Sequence, residues 1–333
     1  ASGSDWYKGT ANAIYQNIPF IERYDPQYVI ILSGDQICKQ DYSDFLKFHK
    51  EKNAEFSVAV MEVPWEDASR FGLMVADDDD KITEFQEKPK NPKSNLASMG
   101  IYIFNWDILK KYLIEDENDP DSENDFGNNI IPNLLRDDRR MYAYHFNGYW
   151  KDVGTLGSYW EANMELIDII PEFNLYEEYW KIYTKSEKIP PQFISAEAKV
   201  GKSIIGEGTE IYGEVVNSVI GSGVVIEKGA VVRDSIIMQD SVIEADAVVD
   251  KAIVAEDVRI GAGARLGVGE YAPSKYDPKV YQFDLVTVGE HSVIPAGVEI
   301  GKNTAISGVT EASDYPDGKL ESGGYIVKAG GNV

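Results

Sequence analysis

The sequence predicts an α/β domain with a central sheet, followed by a parallel β-helix of the hexapeptide-repeat type. Up to about residue 170, apolar runs of strand length alternate with amphipathic runs of helix length, which is typical of an α/β layer fold. From about residue 196, aliphatic doublets recur at intervals of 6, 6, 5, 6, 6 and 5 residues, and this period indicates stacked β-helix coils. A chain of 333 residues is long enough for two domains, which we place at residues 1–178 and 179–333.

In the first domain, hydrophobic periodicity and capping residues predict strands and helices in alternation. The predicted strands cover residues 28–32, 56–62, 72–75, 99–104 and 141–146. The predicted helices cover residues 41–52, which open on the acidic cap Asp41, and residues 106–113, 128–135 and 156–169.

The second domain is predicted from seven consecutive doublets, which do not arise from ordinary strand patterning. They are Val219-Ile220, Val225-Ile226, Val231-Val232, Ile236-Ile237, Val242-Ile243, Val248-Val249 and Ile253-Val254. Glycines recur beside them, where short strands must turn a corner without a Cβ, at positions 201, 206, 221, 223, 229, 261, 263 and 267. The repeat breaks over residues 270–284, which we expect to form a loop, and it resumes near Val286.

We expect the β-helix to be a scaffold, because its exposed positions carry ordinary Lys, Glu, Asp and Ser side chains. Acyltransferases of this fold place chemistry between coils, usually with a histidine. Only His291 is available for that role here, so acyl transfer is the weaker alternative.

The net charge of −24 argues against nucleic acid and anionic membranes as partners, since no dense run of Lys and Arg offsets it. The single cysteine, Cys38, cannot form an internal disulfide, and no apolar run approaches the roughly 20 residues of a membrane helix. We therefore expect a cytoplasmic protein. The printed chain opens without Met or a signal peptide, as a fragment or a processed chain would.

The residues that bear chemistry are carboxylates and a lysine rather than histidines. The three histidines lack metal-ligand spacing, and no nucleophile-elbow motif occurs. Asp35 follows a predicted strand at the end where open α/β sheets bind ligands, and Asp152 lies between a strand and a helix. Two such acids predict a shared Mg²⁺. The alternative for Asp35 is a turn that ends the strand.

Other polar residues beside aromatic ones have the composition of a sugar pocket. Glu87 and Lys88 end a strand that stops at Pro89, so Lys88 is either a phosphate ligand or a solvated surface lysine. The remaining pocket candidates are Ser98, Tyr102, Asp125 and Phe126, and the segment from Trp6 to Ala11 offers backbone amides to a nucleotide.

Taken in order, eight motifs resemble the ADP-glucose pyrophosphorylase family, whose members are glucose-1-phosphate adenylyltransferases. These are WxxGTA at 6–11, SGD at 33–35, ASRFGLM at 68–74, FQEKP at 85–89, ASMGIYIF at 97–104, DFG at 125–127, YWKDVGT at 149–155 and SYWEAN at 158–163. The resemblance spans the chain and implies a Rossmann-like nucleotidyltransferase domain with a mixed central sheet, then a left-handed β-helix. It also implies adenylyl transfer from ATP to glucose 1-phosphate for glycogen- or starch-type glucan synthesis.

The resemblance assigns roles to individual residues. Asp35 and Asp152 would hold the catalytic Mg²⁺, and Lys88 would bind the phosphate of glucose 1-phosphate. The residues that would line the glucose pocket are Glu87, Ser98, Tyr102, Asp125, Phe126 and Trp150. Those that would contact the nucleotide are Trp6, Gly9, Thr10, Ala11, Gly34, Asp35 and Gly100.

The sequence departs from the family pattern in three places. The family's opening strand and its glycine-rich, arginine-containing loop would precede Trp6. Gln36-Ile37-Cys38 stands where His-Ile-Tyr is usual, and Asn128-Asn129 stands where Lys-Asp is usual. The resemblance implies an allosteric homo- or heterotetramer, and a noncatalytic regulatory subunit of the same assembly is the alternative to a catalytic one.

Overall fold

The computed structural model describes residues 6–168, 171–184 and 188–328. By its internal contacts the chain divides into two compact units, the first ending at Trp150 and the second beginning at Lys151. The domain boundary predicted from the sequence, between residues 178 and 179, stays a prediction. In the described ranges, no helix is both long enough and apolar enough to cross a membrane.

The first unit alternates strands and helices, as the periodicity predicts. Its strands are β1 (Tyr28–Ile31), β2 (Gln36–Cys38), β3 (Phe56–Glu62), β4 (Gly72–Ala76), β5 (Ile82–Glu87), β6 (Leu96–Asn105), β7 (Met141–His145) and β8 (Trp150–Asp152), which runs into the second unit. Its α-helices are α1 (Thr10–Tyr15), α2 (Ile18–Ile21), α3 (Tyr42–Glu51), α4 (Trp106–Glu117) and α5 (Ile131–Arg136). Short 3₁₀ turns lie at Glu22–Tyr24 and Ala68–Arg70, and a π-helical turn lies at Phe126–Ile130.

The central sheet of this unit is mixed, as predicted. Its order is β5-β4-β6-β3-β7, and β1 pairs with β6. β6 runs antiparallel to β1, β3 and β4, whereas β3 runs parallel to β7. The first five residues of β3 are buried, so the strand is covered on both faces of the sheet, and the polar Ser57 interrupts its apolar run.

Capping residues set where two of the helices begin. The Asp41 side chain accepts a hydrogen bond from the Ser43 N–H at 2.8 Å, which confirms the predicted acidic cap of α3. The predicted helix at 128–135 begins earlier and differently, because Asp125 accepts the N–H groups of Gly127 and Asn128 and starts the π-helical turn. The α-helix proper begins only at Ile131, with a proline in its first turn.

The second unit contains α6 (Leu156–Glu165) and a parallel β-helix. The β-helix strands form three sheets in which every named pairing is parallel. In chain order they are Phe193–Ile194, Lys199–Gly201, Ile204–Ile205, Glu210–Ile211, Glu214–Val216, Val219–Ile220, Val225–Ile226, Val231–Arg233, Ile236–Ile237, Val242–Ile243, Val248–Asp250, Ala252–Val254, Arg259–Ile260, Arg265–Val268, Val286–Val288, Val293–Ile294, Glu299–Gly301, Thr304–Ser307, Lys319–Leu320 and Tyr325–Val327. Short 3₁₀ turns lie at Ala312–Asp314 and Pro316–Gly318.

All seven predicted doublets are strands, and the predicted loop at 270–284 contains none. The second member of most doublets points inward. Ile226, Val232, Ile243 and Val249 are fully buried in one continuous core that runs along the β-helix. The hexapeptide period thus records which residue of each coil enters this core.

The glycines of the β-helix serve two purposes, of which the sequence indicated one. Gly229 lies at a corner with φ of +78°, as expected for a residue without a Cβ. Gly221 and Gly261 do not have positive φ. They pack closely against the next coil of the β-helix, because a Cβ added to either would lie within 2.7 Å of the backbone of that coil. Several other corners with positive φ are occupied by Asp, which tolerates this conformation.

A buried histidine ties α3 to the sheet of the first unit. His49 is 1% exposed, its Nδ1 lies 2.8 Å from Ser57 Oγ on β3, and its Nε2 lies 2.9 Å from Asn105 Oδ1. With Nε2 donating to the amide oxygen, Nδ1 accepts the serine proton and the ring is neutral. Burial lowers the pKa of His49; the Asn105 hydrogen bond opposes this and the neighbouring Lys50 charge adds to it.

This depressed pKa predicts that the protein loses stability as the pH falls below about 6.5, where the unfolded His49 takes up a proton that the folded ring refuses. The contribution is fully present above that pH. We expect the melting temperature of wild type to drop more between pH 7 and pH 5.5 than that of His49→Gln. Equal drops in wild type and His49→Gln would contradict the prediction.

Candidate functional site

A half-buried carboxylate occupies the centre of the candidate site in the first unit. Glu87 is the last residue of β5, and its Oε2 lies close to two glycines. A Cβ added to Gly72 would lie 2.9 Å from this oxygen, and one added to Gly127 would lie 2.8 Å from it, which is too close for either. Both glycines follow a phenylalanine, in Phe71-Gly72 and Phe126-Gly127. They leave the space that the Glu87 carboxylate fills. Burial raises the pKa of Glu87, the Lys88 charge lowers it, and the Asp125 charge raises it again.

A tyrosine of intermediate exposure adjoins this carboxylate. The Tyr102 ring stacks on Phe126 with ring centroids 5.7 Å apart. Burial raises the pKa of Tyr102 to about 12; a hydrogen bond with Ser98 opposes this shift, and the charges of Glu87 and Asp125 add to it. The structure therefore brings together five of the residues predicted for the sugar pocket, with a phenol that stays protonated and can donate.

Lys88 supplies a cation at the edge of this group. Its Nζ lies 3.8 Å from Glu87 Oε1, and its side chain is 67% exposed. Its backbone has φ of +41°, which is uncommon for a residue with a side chain, and its N–H donates to the Phe71 carbonyl at 3.2 Å. The charge thus stands in solvent beside a half-buried carboxylate, available to an anion.

The segment predicted to contact the nucleotide is bonded to the loop that carries Asp125. Thr10 Oγ1 donates to Asp125 Oδ2 at 2.9 Å and accepts the Phe126 N–H at 3.1 Å. The Ala11 N–H donates to the Asn124 carbonyl at 2.8 Å, and a Cβ on Gly9 would lie 2.4 Å from that carbonyl oxygen. These contacts hold the Asp125 loop in place. A role of this segment in nucleotide binding stays a prediction.

The predicted metal and nucleotide residues that follow β1 form a tight turn. Asp35 Oδ1 accepts a hydrogen bond from Ser33 Oγ, and Gly34 has open space around its Cα. Gly100, on β6, has φ of +67°, and an added Cβ would lie 3.1 Å from Gln36 Nε2. The strand is irregular here, since its register with β3 shifts between Val58 and Val60.

Asp152, the second predicted metal ligand, belongs to the second unit. Its Oδ1 accepts the Gly154 N–H at 2.7 Å, which closes a turn just before α6. In the described part of the chain, no group of three or more His, Cys, Asp or Glu side chains is arranged to hold a metal ion. A site of two carboxylates would therefore need oxygens from a ligand or water to complete its coordination.

Two tryptophans of the predicted site lie in contrasting surroundings. Trp150 packs on Phe71, with ring centroids 5.5 Å apart, and its Nε1 is buried without a hydrogen-bond partner. Trp6 is 89% exposed. The motifs alone give no role to Gly72 and Gly127, although the repeated Phe-Gly pair is a signal that indicates a shared function.

Residues 3–169 match the family model described as nucleotidyl transferase, and residues 189–283 match the model described as GlmU-like, C-terminal hexapeptide. The glucose-1-phosphate adenylyltransferase of Lachnospira eligens is 66% identical over 332 residues, which cover 100% of this chain and 78% of that protein. That of Acetivibrio thermocellus is 50% identical over 326 residues, covering 98% and 76%. That of Thermotoga maritima is 55% identical over 325 residues, covering 97% and 77%.

The chain belongs to the glucose-1-phosphate adenylyltransferase family. This confirms the resemblance drawn from the motifs and the fold class of a nucleotidyltransferase domain followed by a hexapeptide β-helix.

One departure from the adenylyltransferase pattern has a local explanation in the structure. Asn128, where the family usually has lysine, donates through Nδ2 to Glu123 Oε2 at 2.8 Å. Its side chain is engaged by the segment just before the π-helical turn that contains it.

Proposed function

We propose that this chain transfers the adenylyl group of ATP to α-D-glucose 1-phosphate, giving ADP-glucose and pyrophosphate. The observation that carries the proposal is its likeness, along its whole length, to proteins named glucose-1-phosphate adenylyltransferase. The grouping of Glu87, Lys88, Tyr102 and Asp125 around one position supports it.

Glucose would be held by the polar groups around Tyr102. The carboxylates of Glu87 and Asp125 accept hydrogen bonds from sugar hydroxyl groups, and the protonated Tyr102 phenol donates a hydrogen bond to a sugar oxygen. Trp150 supplies an apolar face of the kind that packs against a sugar ring, and the buried Phe126 supports the Tyr102 ring from behind. Ser98 positions the phenol through their hydrogen bond.

The phosphate of glucose 1-phosphate would pair with Lys88. The chain has a net charge of −24, so most of its surface repels phosphate. The solvent-facing Lys88, beside the half-buried Glu87 carboxylate, is a positive charge that can attract it. Its attraction to Glu87 is weak at 3.8 Å, so a dianionic phosphate replaces that partner readily.

Asp35 and Asp152 would hold Mg²⁺. The donor set fits this ion, which takes one or two protein carboxylates and completes its octahedron with phosphate oxygens and water. When bound, it neutralises charge on the reacting phosphates. Each carboxylate has one oxygen engaged in a turn hydrogen bond that orients the group.

The reaction needs no covalent enzyme intermediate. A phosphate oxygen of glucose 1-phosphate attacks the α-phosphorus of ATP, a new P–O bond forms, and the bond from the α-phosphorus to the bridging oxygen breaks to release pyrophosphate. Lys88 holds the attacking phosphate and the sugar pocket sets its direction. Catalysis in such a transfer is positioning and charge neutralisation.

The test is an assay of the natural full-length protein with ATP, glucose 1-phosphate and Mg²⁺. We expect ADP-glucose and pyrophosphate in equal amounts, and neither product when one substrate is omitted. Binding of both substrates without product would favour a noncatalytic regulatory subunit. Acetyl-CoA binding measured by calorimetry, with loss of that binding in His291→Ala, would favour the acyltransferase alternative; His291 is exposed and paired with Asp257 at 2.9 Å.

A further inference from the structure

The segment that carries Asp152 is fastened to α6 at both ends. On its C-terminal side, Thr155 caps α6 in a reciprocal capping box with Ser158, one residue after the Gly154 N–H that binds Asp152. On its N-terminal side, Lys151 Nζ pairs with Glu161 at 3.5 Å and with Glu165. The backbone at Asp152 is therefore tied to α6 on both sides.

The helix α6 in turn lies on an outer face of the β-helix. Its side chains Leu156, Tyr159, Trp160 and Met164 pack against a cluster formed by Ile236, Ile253 and Leu285. At Gly157 the approach is so close that an added Cβ would lie 2.4 Å from the Phe283 ring. These contacts join the Asp152 segment to the scaffold domain within one compact unit.

Trp160 adds a hydrogen bond to the apolar contacts between α6 and the β-helix. Its Nε1–H donates to the backbone carbonyl of Asp234 at 2.7 Å, and Lys251 Nζ lies 5.4 Å from its ring centroid. Apolar packing alone allows a helix to slide along a sheet face, because it is non-directional. A directed hydrogen bond at the middle of the helix sets its position along and around its own axis.

We infer that Trp160 is a positioning residue for Asp152, acting from the β-helix through α6. The inference rests on the proposed function, since it assumes that the Asp152 carboxylate binds the metal ion. It assigns the β-helix a part in catalysis that its exposed side chains do not indicate: Asp234 and Lys251 set where a carboxylate of another segment stands.

The test is Mn²⁺ binding followed by electron paramagnetic resonance, in the full-length protein with ADP-glucose present. Trp160→Phe keeps an aromatic ring against the cluster and removes the N–H together with the five-membered ring of the indole. We expect its Mn²⁺ affinity and its kcat to fall about tenfold, as for other residues that orient a metal ligand from behind, while KM for glucose 1-phosphate changes less than twofold. Trp180→Phe, at a half-exposed tryptophan of the same unit, is the matched control and should behave as wild type.

A second variant guards against loss of folding. Lys251→Met removes the cation over the Trp160 ring and keeps the length of the side chain, and we expect Mn²⁺ affinity to fall about two- to fivefold. If Trp160→Phe melts far below wild type, Lys251→Met decides, and its wild-type affinity would overturn the inference.

Asp152→Asn separates this inference from the proposed function. If Asp152→Asn binds Mn²⁺ as wild type does, the metal role of Asp152 fails and the inference fails with it. If Asp152→Asn loses Mn²⁺ but folded Trp160→Phe binds it with wild-type affinity, the positioning role alone is wrong.

Discussion

Asn in place of Asp35 or Asp152 is expected to lower kcat roughly a hundred- to a thousandfold while KM for either substrate changes by much less. A metal ion held by these carboxylates would neutralise charge that develops on the reacting phosphates, so the loss of a ligand should act on kcat rather than on ground-state binding. The measurement is steady-state kinetics of Asp35→Asn and Asp152→Asn in the full-length enzyme, with folding checked by thermal melting.

The double variant gives the sharper result. Once one ligand is removed, the ion is already misplaced or lost, so the second substitution should cost little more. Asp138→Asn, at an exposed carboxylate paired with Lys81, serves as the matched control. Fully additive losses in ln kcat would mean that the two carboxylates work independently, and Asp35 would then be a residue that merely closes the turn with Ser33.

Lys88→Gln is expected to raise KM for glucose 1-phosphate roughly ten- to a hundredfold and to leave KM for ATP nearly unchanged. The loss of a charge-assisted phosphate contact costs about 1.5 to 3 kcal/mol, which corresponds to that range. The measurement is initial rates with each substrate varied in turn.

Lys90→Gln is the matched control for this substitution, because it removes an exposed lysine two residues further along the chain. It should leave both KM values unchanged. An equal rise of both KM values in Lys88→Gln would reject the assignment of Lys88 to the sugar phosphate.

Local patterns were sufficient to predict most elements. The strand β3 was predicted with the bounds that the structure gives it, and α3 was predicted to open on Asp41. The short helices α1 and α2 were not predicted, since pieces of six and four residues leave no periodic signal. The π-helical turn after Asp125 was missed for another reason. It depends on the Asp125 side chain accepting hydrogen bonds from two successive N–H groups, and the hydrophobic pattern of the sequence does not record such bonds.

The candidate site was predicted as residue types rather than as an arrangement. Motif order assigned Glu87, Tyr102 and Asp125 to one pocket, and the structure brings their charges close enough to shift the Tyr102 pKa. The room for Glu87 depends on Gly72 and Gly127, which come from distant parts of the chain. The metal role of Asp35 and Asp152 stays a prediction.

The sequence by itself determined the α/β domain, the hexapeptide β-helix and the family, because each is recorded in contacts or motifs of short range along the chain. The period of the β-helix marks one inward-facing side chain per strand. This pattern can be read from the sequence without knowing which strands lie beside each other. Only the tertiary structure decided that Thr10 bonds Asp125 and that Trp160 anchors the helix beside Asp152 to the β-helix. Those contacts join residues far apart in the chain through single hydrogen bonds, and no periodicity records which two residues will meet.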